Sequence, residues 1–414
     1  MNEKQIEKEV YNFLNGVSET TKVYFEGGST KNPLEYRVGE EMVFKLRVKC
    51  EGNYVDVPCI KYTIEGDDGE KVTGFKKPDA DGWFYLTTSL KRDGFVRVIA
   101  EAYDEEENKL PRIDKFEGGA GADIEKITLA TEIPEDYFEF WDWLKKETEA
   151  VAPEVIYERE FEHEKYPNYE FRDMRIKVTE DEYASCLLAW PKNATAGSLK
   201  LRYSYRGYGV SAFNEIWGIE NTMLIATNAH SIPNHESPEY FANLKETTLK
   251  GFGFDKEENA DPKTTYWAKM FRRNYQVFRY FKNHPLANGR DIIFSGGSMG
   301  AMQAINMAAH TGCATECIAM VPWFSDLGAG ENLGRLTGWR PAYLHGVKYF
   351  DTAVAARFIK CPISITAGLG DYVCPPSGQM ALYNGVTTKK NITFIQNRTH
   401  SYHPIEEVTY KING

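Results

Sequence analysis

One stretch constrains this chain more than any other: residues 290–312, RDIIFSGGSMGAMQAINMAAHTG. The short run from Asp291 to Phe294 is long enough for a buried strand and too short for a helix. It leads straight into Gly296-Gly297-Ser298-Met299-Gly300, which fits G-x-S-x-G, and then into small residues that predict a helix ending at Gly312. Strand, Gly-Ser-Gly turn and helix in that order are the context of a nucleophile elbow. The glycines have a steric reason, because side chains beside the serine would meet the strand and helix packing on either side. A glycine-rich turn is also a common device of α/β proteins, so the flanking elements carry the argument.

The rest of the chain narrows the choices. A length of 414 residues leaves room for two or three domains. Sixty acidic against 49 basic residues give a formal charge of −11, which argues against a nucleic-acid surface. No apolar run approaches the length needed to span a bilayer. The first residues, MNEKQIEKEVYNFLNG, lack a signal peptide's apolar core, which fits either a cytoplasmic start or a start placed before a mature secreted domain. Seven scattered cysteines predict no disulfide framework; Cys50 and Cys59 could face each other across a hairpin, but the preferred reading is two reduced strand cysteines. His310, Cys313 and Cys317 have a spacing that invites zinc, but no fourth ligand accompanies them. No metal or cofactor is expected.

The first third reads as β-rich. After an amphipathic helix carrying Ile6, Val10, Phe13 and Leu14, strands are predicted over 22–26, 42–48, 57–64, 83–86, 94–100 and 124–129, with turns such as Gly66-Asp67-Asp68-Gly69 between them. Short strands without a long helix predict an immunoglobulin-like β-sandwich over residues 1–130. Residues 116–121 read as flexible. Trp83 and Tyr85 could stack on a sugar, although strands favour aromatic residues whatever their function.

Residues 131–414 read as an α/β-hydrolase domain. Thr131 or Asp136 would cap a helix over 137–151, with Phe138, Trp141, Trp143 and Leu144 along one side. Antiparallel strands over 155–161, 169–178 and 183–190 follow. The rhythm then becomes strand–helix alternation, the mark of a parallel sheet. Strands fall at 199–205, 222–227, 290–295, 316–321, 363–367 and 391–396, and helices at 266–283, 298–310, 351–358 and 377–384.

A serine hydroxyl needs a base, and the base needs an orienting group. After Ser298, Asp371 follows the strand over 363–367 and precedes the stiff Pro375-Pro376 pair, where the acid belongs in the order Ser, acid, His. Two histidines follow the last strand; His400 is preferred because it is nearer, with His403 as its rival. For the oxyanion, one backbone N–H should come from Met299 and the other from Tyr208 in the loop Arg206-Gly207-Tyr208-Gly209. His230 and His235 could line the substrate entrance, but the preferred reading is solvated loop histidines.

Several of these segments together resemble carbohydrate esterase family seven, the acetyl xylan esterases and cephalosporin C deacetylases. The resemblance rests on RGYG at 206–209, GGSMG at 296–300, VPWFSD at 321–326, GLGDYVCPP at 368–376 and His400, and runs from about Pro134 to His403. It implies an α/β-hydrolase acting as a serine deacetylase on acetylated sugars or small esters. Ser298, Asp371 and His400 would be its triad, with Tyr208 and Met299 as oxyanion donors. The family usually has Gln where this chain has Met299, which would make the pocket floor more apolar. The added β-rich module leaves open the ring-like homo-oligomers of compact members, and residues 214–263 show little likeness. The competing readings are another ester hydrolase or peptidase on the same fold, or a catalytically silent carbohydrate-binding protein.

Overall fold

The structure is a computed structural model that describes residues 3–414. Its larger unit is a ten-stranded sheet. In spatial order the strands are Val155–Phe161, Tyr169–Lys177, Tyr183–Pro191, Thr222–Thr227, Leu199–Tyr205, Ala287–Gly297, Glu316–Met320, Ile363–Gly368, Lys390–Ile395 and Thr409–Asn413. Every pairing from Thr222–Thr227 to Lys390–Ile395 is parallel, and antiparallel strands close both edges. Parallel strands covered on both faces can bury every residue. All six residues of Thr222–Thr227 are buried accordingly.

The sheet order reverses at Leu199–Tyr205. The chain steps outward to Thr222–Thr227, then returns past its own start to form Ala287–Gly297 on the other side. In open α/β sheets such a reversal leaves a crevice beyond the carboxyl ends of the two inner strands. Here those ends carry Arg206–Gly209 and the Ser298 turn, with Tyr205 paired to Gly296.

The N-terminal part has two smaller sheets. One joins Asn53–Val55, Met42–Cys50, Val23–Ser29 and Ile113–Asp114, with Phe84–Thr88 also on Met42–Cys50. The other runs Lys71–Lys76, Cys59–Gly66, Gly94–Tyr103 and Phe116–Ala122. Burial alternates strictly along Met42–Cys50, as one face of a half-buried strand requires. Phe44, Leu46 and Val48 share a core with Val96, Val98 and Ala100 of the second sheet, and with Val10 and Leu14 of the helix Glu3–Gly16.

Three expectations are corrected here and one holds. Residues 116–121 are not flexible: Phe116–Ala122 is a strand with all seven residues buried. Residues 124–129 form no strand, only a single turn of 3-10 helix at Ile124–Lys126. The reading of Cys50 and Cys59 as reduced strand cysteines holds: they lie in strands of different sheets with free, buried thiols, and Cys59 donates to the Asp104 carbonyl at 3.2 Å. On the helix Tyr137–Glu149 the inward stripe is Tyr137, Phe140, Trp141, Leu144 and Thr148, while Phe138 is 53% exposed. Asp136 stands at its N-terminus without capping it and instead accepts from the Tyr349 hydroxyl; Thr131 donates to Asp351.

Candidate active site

The strand Ala287–Gly297 turns into the helix Met299–Thr311 through Ser298, whose φ of 56° is left-handed. A non-glycine residue there is strained and persists only where its surroundings over-determine it. The turn is pinned on three sides. Ser298 N–H donates to the Met320 carbonyl at 2.9 Å, and the Ser298 carbonyl accepts from Met302 N–H at 3.1 Å and Trp323 N–H at 3.2 Å. The glycines are required by close approach. A Cβ on Gly296 would lie 2.4 Å from the Gly300 carbonyl, and one on Gly300 would lie 2.1 Å from the Tyr205 carbonyl oxygen.

The structure brings Ser298, His400 and Asp371 into line. His400 Nε2 lies 3.0 Å from Ser298 Oγ, and His400 Nδ1 lies 2.9 Å from Asp371 Oδ2. Asp371 is fully buried, and its other oxygen accepts the N–H groups of Val373 at 3.0 Å and Cys374 at 2.9 Å. With both oxygens engaged, the carboxylate can turn only by breaking hydrogen bonds. His403 is exposed three residues further on; the ring that reaches both partners is that of His400.

The Arg206–Gly209 loop is fastened to the serine turn by one side chain. Gln303, fully buried on the helix after Ser298, donates to the carbonyls of Arg206 at 3.0 Å and Met299 at 3.1 Å, and accepts from Asn274 at 3.0 Å. Tyr208 packs its side chain on Phe252, its hydroxyl donating to the Phe252 carbonyl at 3.0 Å and its ring stacking on Phe252 at 4.0 Å. Met299 opens the helix, where backbone N–H groups lack intrahelical partners. Its side chain has no exposed surface and packs in the core, so it does not make the pocket more apolar as expected.

His230 also departs from expectation, being fully buried rather than solvated. Its Nε2 reaches the Gly209 carbonyl at 2.9 Å and its Nδ1 the Tyr266 hydroxyl at 2.5 Å. Burial pushes its pKa down to about 3, so the neutral ring props the loop. The available signal was position, since Asn228-Ala229-His230 directly continues a fully buried strand. His235 lies half-buried against Asp173, 3.2 Å away. Sequence reasoning also missed an aromatic wall. Trp339, 44% exposed, stacks on Trp323 at 5.1 Å and meets Phe254 and Tyr208 at 4.7 Å each.

Two groups bear on metal binding. Asp371, Cys374 and His400 hold donor atoms within 4.8 Å of one another. The two that are not sulfur already bind Ser298, each other and backbone, and burial pushes the Cys374 thiol well above its ordinary range, away from the thiolate a metal needs. At the other spacing, His310 stacks on Trp141 at 3.9 Å and Cys317 is buried in a strand.

The sheet and its serine turn place the chain among mixed α/β proteins similar to the α/β-hydrolase esterases. Acetyl xylan esterase 1 from Thermoanaerobacterium sp. JW/SL YS485 matches with a TM-score of 0.54 and 18% identity, over 68% of this chain and 93% of its own. The acetyl xylan esterase from Paenibacillus sp. R4 matches at 0.57 and 17%, over 68% and 94%. At these identities the likeness is one of fold. The profile of the acetyl xylan esterase (AXE1) family matches residues 122–333 and 341–411, and the chain belongs to that family. Acetyl esterase Axe7A of Xylanibacter ruminicola is 24% identical over 294 residues, a match that covers 65% of this chain and 64% of that protein's length.

Proposed function

We propose that this chain is a serine esterase that removes acetyl groups from acetylated xylan fragments or related small sugar esters. The observation that carries the reading is the hydrogen-bonded line from Ser298 through His400 to Asp371, in a chain of this family. Asp371 holds a proton on His400 Nδ1, which leaves Nε2 as the acceptor toward Ser298. As Ser298 Oγ attacks the acyl carbonyl, Nε2 takes its proton. The oxyanion that forms would be met by the N–H groups of Tyr208 and Met299, on segments that Gln303 ties together. The sugar alcohol leaves with the proton from His400. Water then attacks the acetyl-enzyme with the same base and releases acetate.

The names of the relatives support acetylated sugars as substrates, and the exposed Trp339 offers a face on which a sugar ring could pack. In this reading residues 131–414 are the hydrolase domain, and residues 1–130 are an immunoglobulin-like sandwich, supported by two sheets around one core. The test is product analysis on a panel of acetylated xylan, pectin and small-molecule esters. Acetate should come from xylan fragments or small sugar esters; release from non-sugar esters alone would move the substrate class.

A further inference from the structure

The strand Phe116–Ala122 sits directly behind the two loops that carry Asp371 and His400. The Gln396 side-chain amide pairs with Gly119 in both directions, accepting its N–H and donating to its carbonyl at 3.0 Å each. Asn397 Oδ1 accepts Glu117 N–H at 2.9 Å. Asn397 has a left-handed φ of 56° and begins the bend that delivers His400 three residues later. The acid loop is held from the same side. A Cβ on Gly370 would lie 1.8 Å from the Glu117 carbonyl oxygen, so the backbone beside Asp371 rests against the strand. On the other flank of Asp371, the Arg97 guanidinium lies 4.5 Å over the Tyr372 ring and donates to Glu117 at 2.8 Å and Glu65 at 2.9 Å. The two loops also join each other, Gly370 N–H donating to the Arg398 carbonyl at 3.0 Å.

From these contacts we infer that the N-terminal module is a working part of the catalytic apparatus. Its glycine strand positions Asp371 against His400, through Asn397 on the histidine side and Arg97 on the acid side. The inference rests on the triad reading given above. The strand can do this because residues 118–122 carry nothing larger than a methyl group: a Cβ on Gly118 would lie 2.2 Å from Gln396 Oε1, and one on Gly119 would lie 2.2 Å from the Val96 carbonyl oxygen and 3.1 Å from that of Leu369. Backbone thus meets backbone within a shell where a small displacement matters, since misplacing a catalytic group by an ångström costs about 100-fold in rate. Asn397 and Arg97 are positioning residues, acting through the acid and the base without touching substrate.

The test uses the full chain with Asn397→Gly, which keeps the left-handed backbone but removes the acceptor, and Asn397→Asp, which restores one. Turnover of an aryl acetate is normalised to the serine titrated by a fluorophosphonate, so a loss of folded protein does not count. Asn397→Gly should lower kcat per titrated serine by about 10–100-fold, with KM within about twofold. A weaker Asp371–His400 pair stabilises the imidazolium less, so the acid limb of kcat/KM should move to lower pH. Asn397→Asp should recover most of the rate. Unchanged turnover and an unchanged acid limb would overturn the inference. Where Asn397→Gly does not fold, Arg97→Met at its part-exposed site carries the same criteria, and failure of both to fold assigns these contacts to stability alone and overturns it. Ser298→Ala and His400→Ala run alongside: if they still turn over, the triad reading fails, whereas if they are inactive and the positioning variants are normal, only this inference fails.

Discussion

Two glycine-rich stretches of this chain, GGSMG at 296–300 and GGAGA at 118–122, have nearly the same composition and do different things. In the first, the glycines flank one residue whose side chain is presented, and they clear space for a strained serine between a strand and the helix that follows it. In the second, nothing is presented. The glycines let one backbone lie against others, and the loops it touches are some 250–280 residues away in sequence. Glycine in a turn is explained by its immediate neighbours; glycine in a buried strand is explained by what packs on it. The first stretch holds the nucleophile in the proposed mechanism, and the second holds the loops that activate it.

That contrast can be broken most sharply at the chemistry. Ser298→Ala should cut turnover of an aryl acetate by on the order of 10⁴-fold or more without loss of the folded state. His400→Ala should be comparably severe. His403→Ala, at an exposed site, should stay within about twofold of the parent. Should His403→Ala be the inactive variant, the base moves and the geometry described here is not the working one.

The next comparison is steric. Gly300→Val and Gly119→Val each force atoms to about 2 Å from a carbonyl oxygen, that of Tyr205 in one case and Val96 in the other. Both should lower stability by about 1–3 kcal/mol or more, read from chemical denaturation. Tolerance of valine at 119 alone would mean that the buried strand is less tightly held than the serine turn.

A smaller effect lies at the junction of the two regions. Asp67 accepts N–H groups from Phe95 at 2.8 Å and from Leu336, across the junction, at 3.0 Å. Burial pushes its pKa up to about 6 from an ordinary 3.8. The folded form therefore holds a proton that the unfolded chain gives up, so this group's contribution is full below about pH 4 and is lost as pH rises through about 6. Asp67→Asn should flatten the fall of stability between pH 4 and 7 by no more than about 3 kcal/mol. Asp351, raised to about 7 by burial and by the neighbouring Asp326, should leave part of that fall in place. An unaltered profile would remove Asp67 from the balance.

How much of this was legible follows the same division between local and distant causes. The six parallel strands were readable because each is a short run with continuous or alternating apolar residues in a strand–helix rhythm, and two of them, Leu199–Tyr205 and Thr222–Thr227, have the expected ends. Ser298, Asp371 and His400 were readable because each follows a strand end in order. Lys71–Lys76 and Thr409–Asn413 were not read, because edge strands with largely exposed residues carry little burial pattern. Phe116–Ala122 was misread because its five residues from Gly118 on are glycine or alanine and show no periodicity. Phe138 was placed inward by its hydrophobicity alone, although the helical spacing of Tyr137, Phe140, Trp141 and Leu144 turns it to solvent. Gln303 was out of reach for the same reason as the glycine strand, since the loop it supports is distant in sequence, whereas His230 was misread despite continuing a buried strand.

The central claim is that Ser298 carries the acetyl group during turnover, and it has a direct test. The protein is mixed with an aryl acetate, quenched in acid within the first turnovers, digested and analysed by mass spectrometry. An acetyl group should be found on the peptide that contains Ser298, more abundantly in His400→Ala if deacylation is slowed further than acylation, and never in Ser298→Ala. Full turnover with no acetylated Ser298 peptide at any quench time, together with an active Ser298→Ala, would contradict the account.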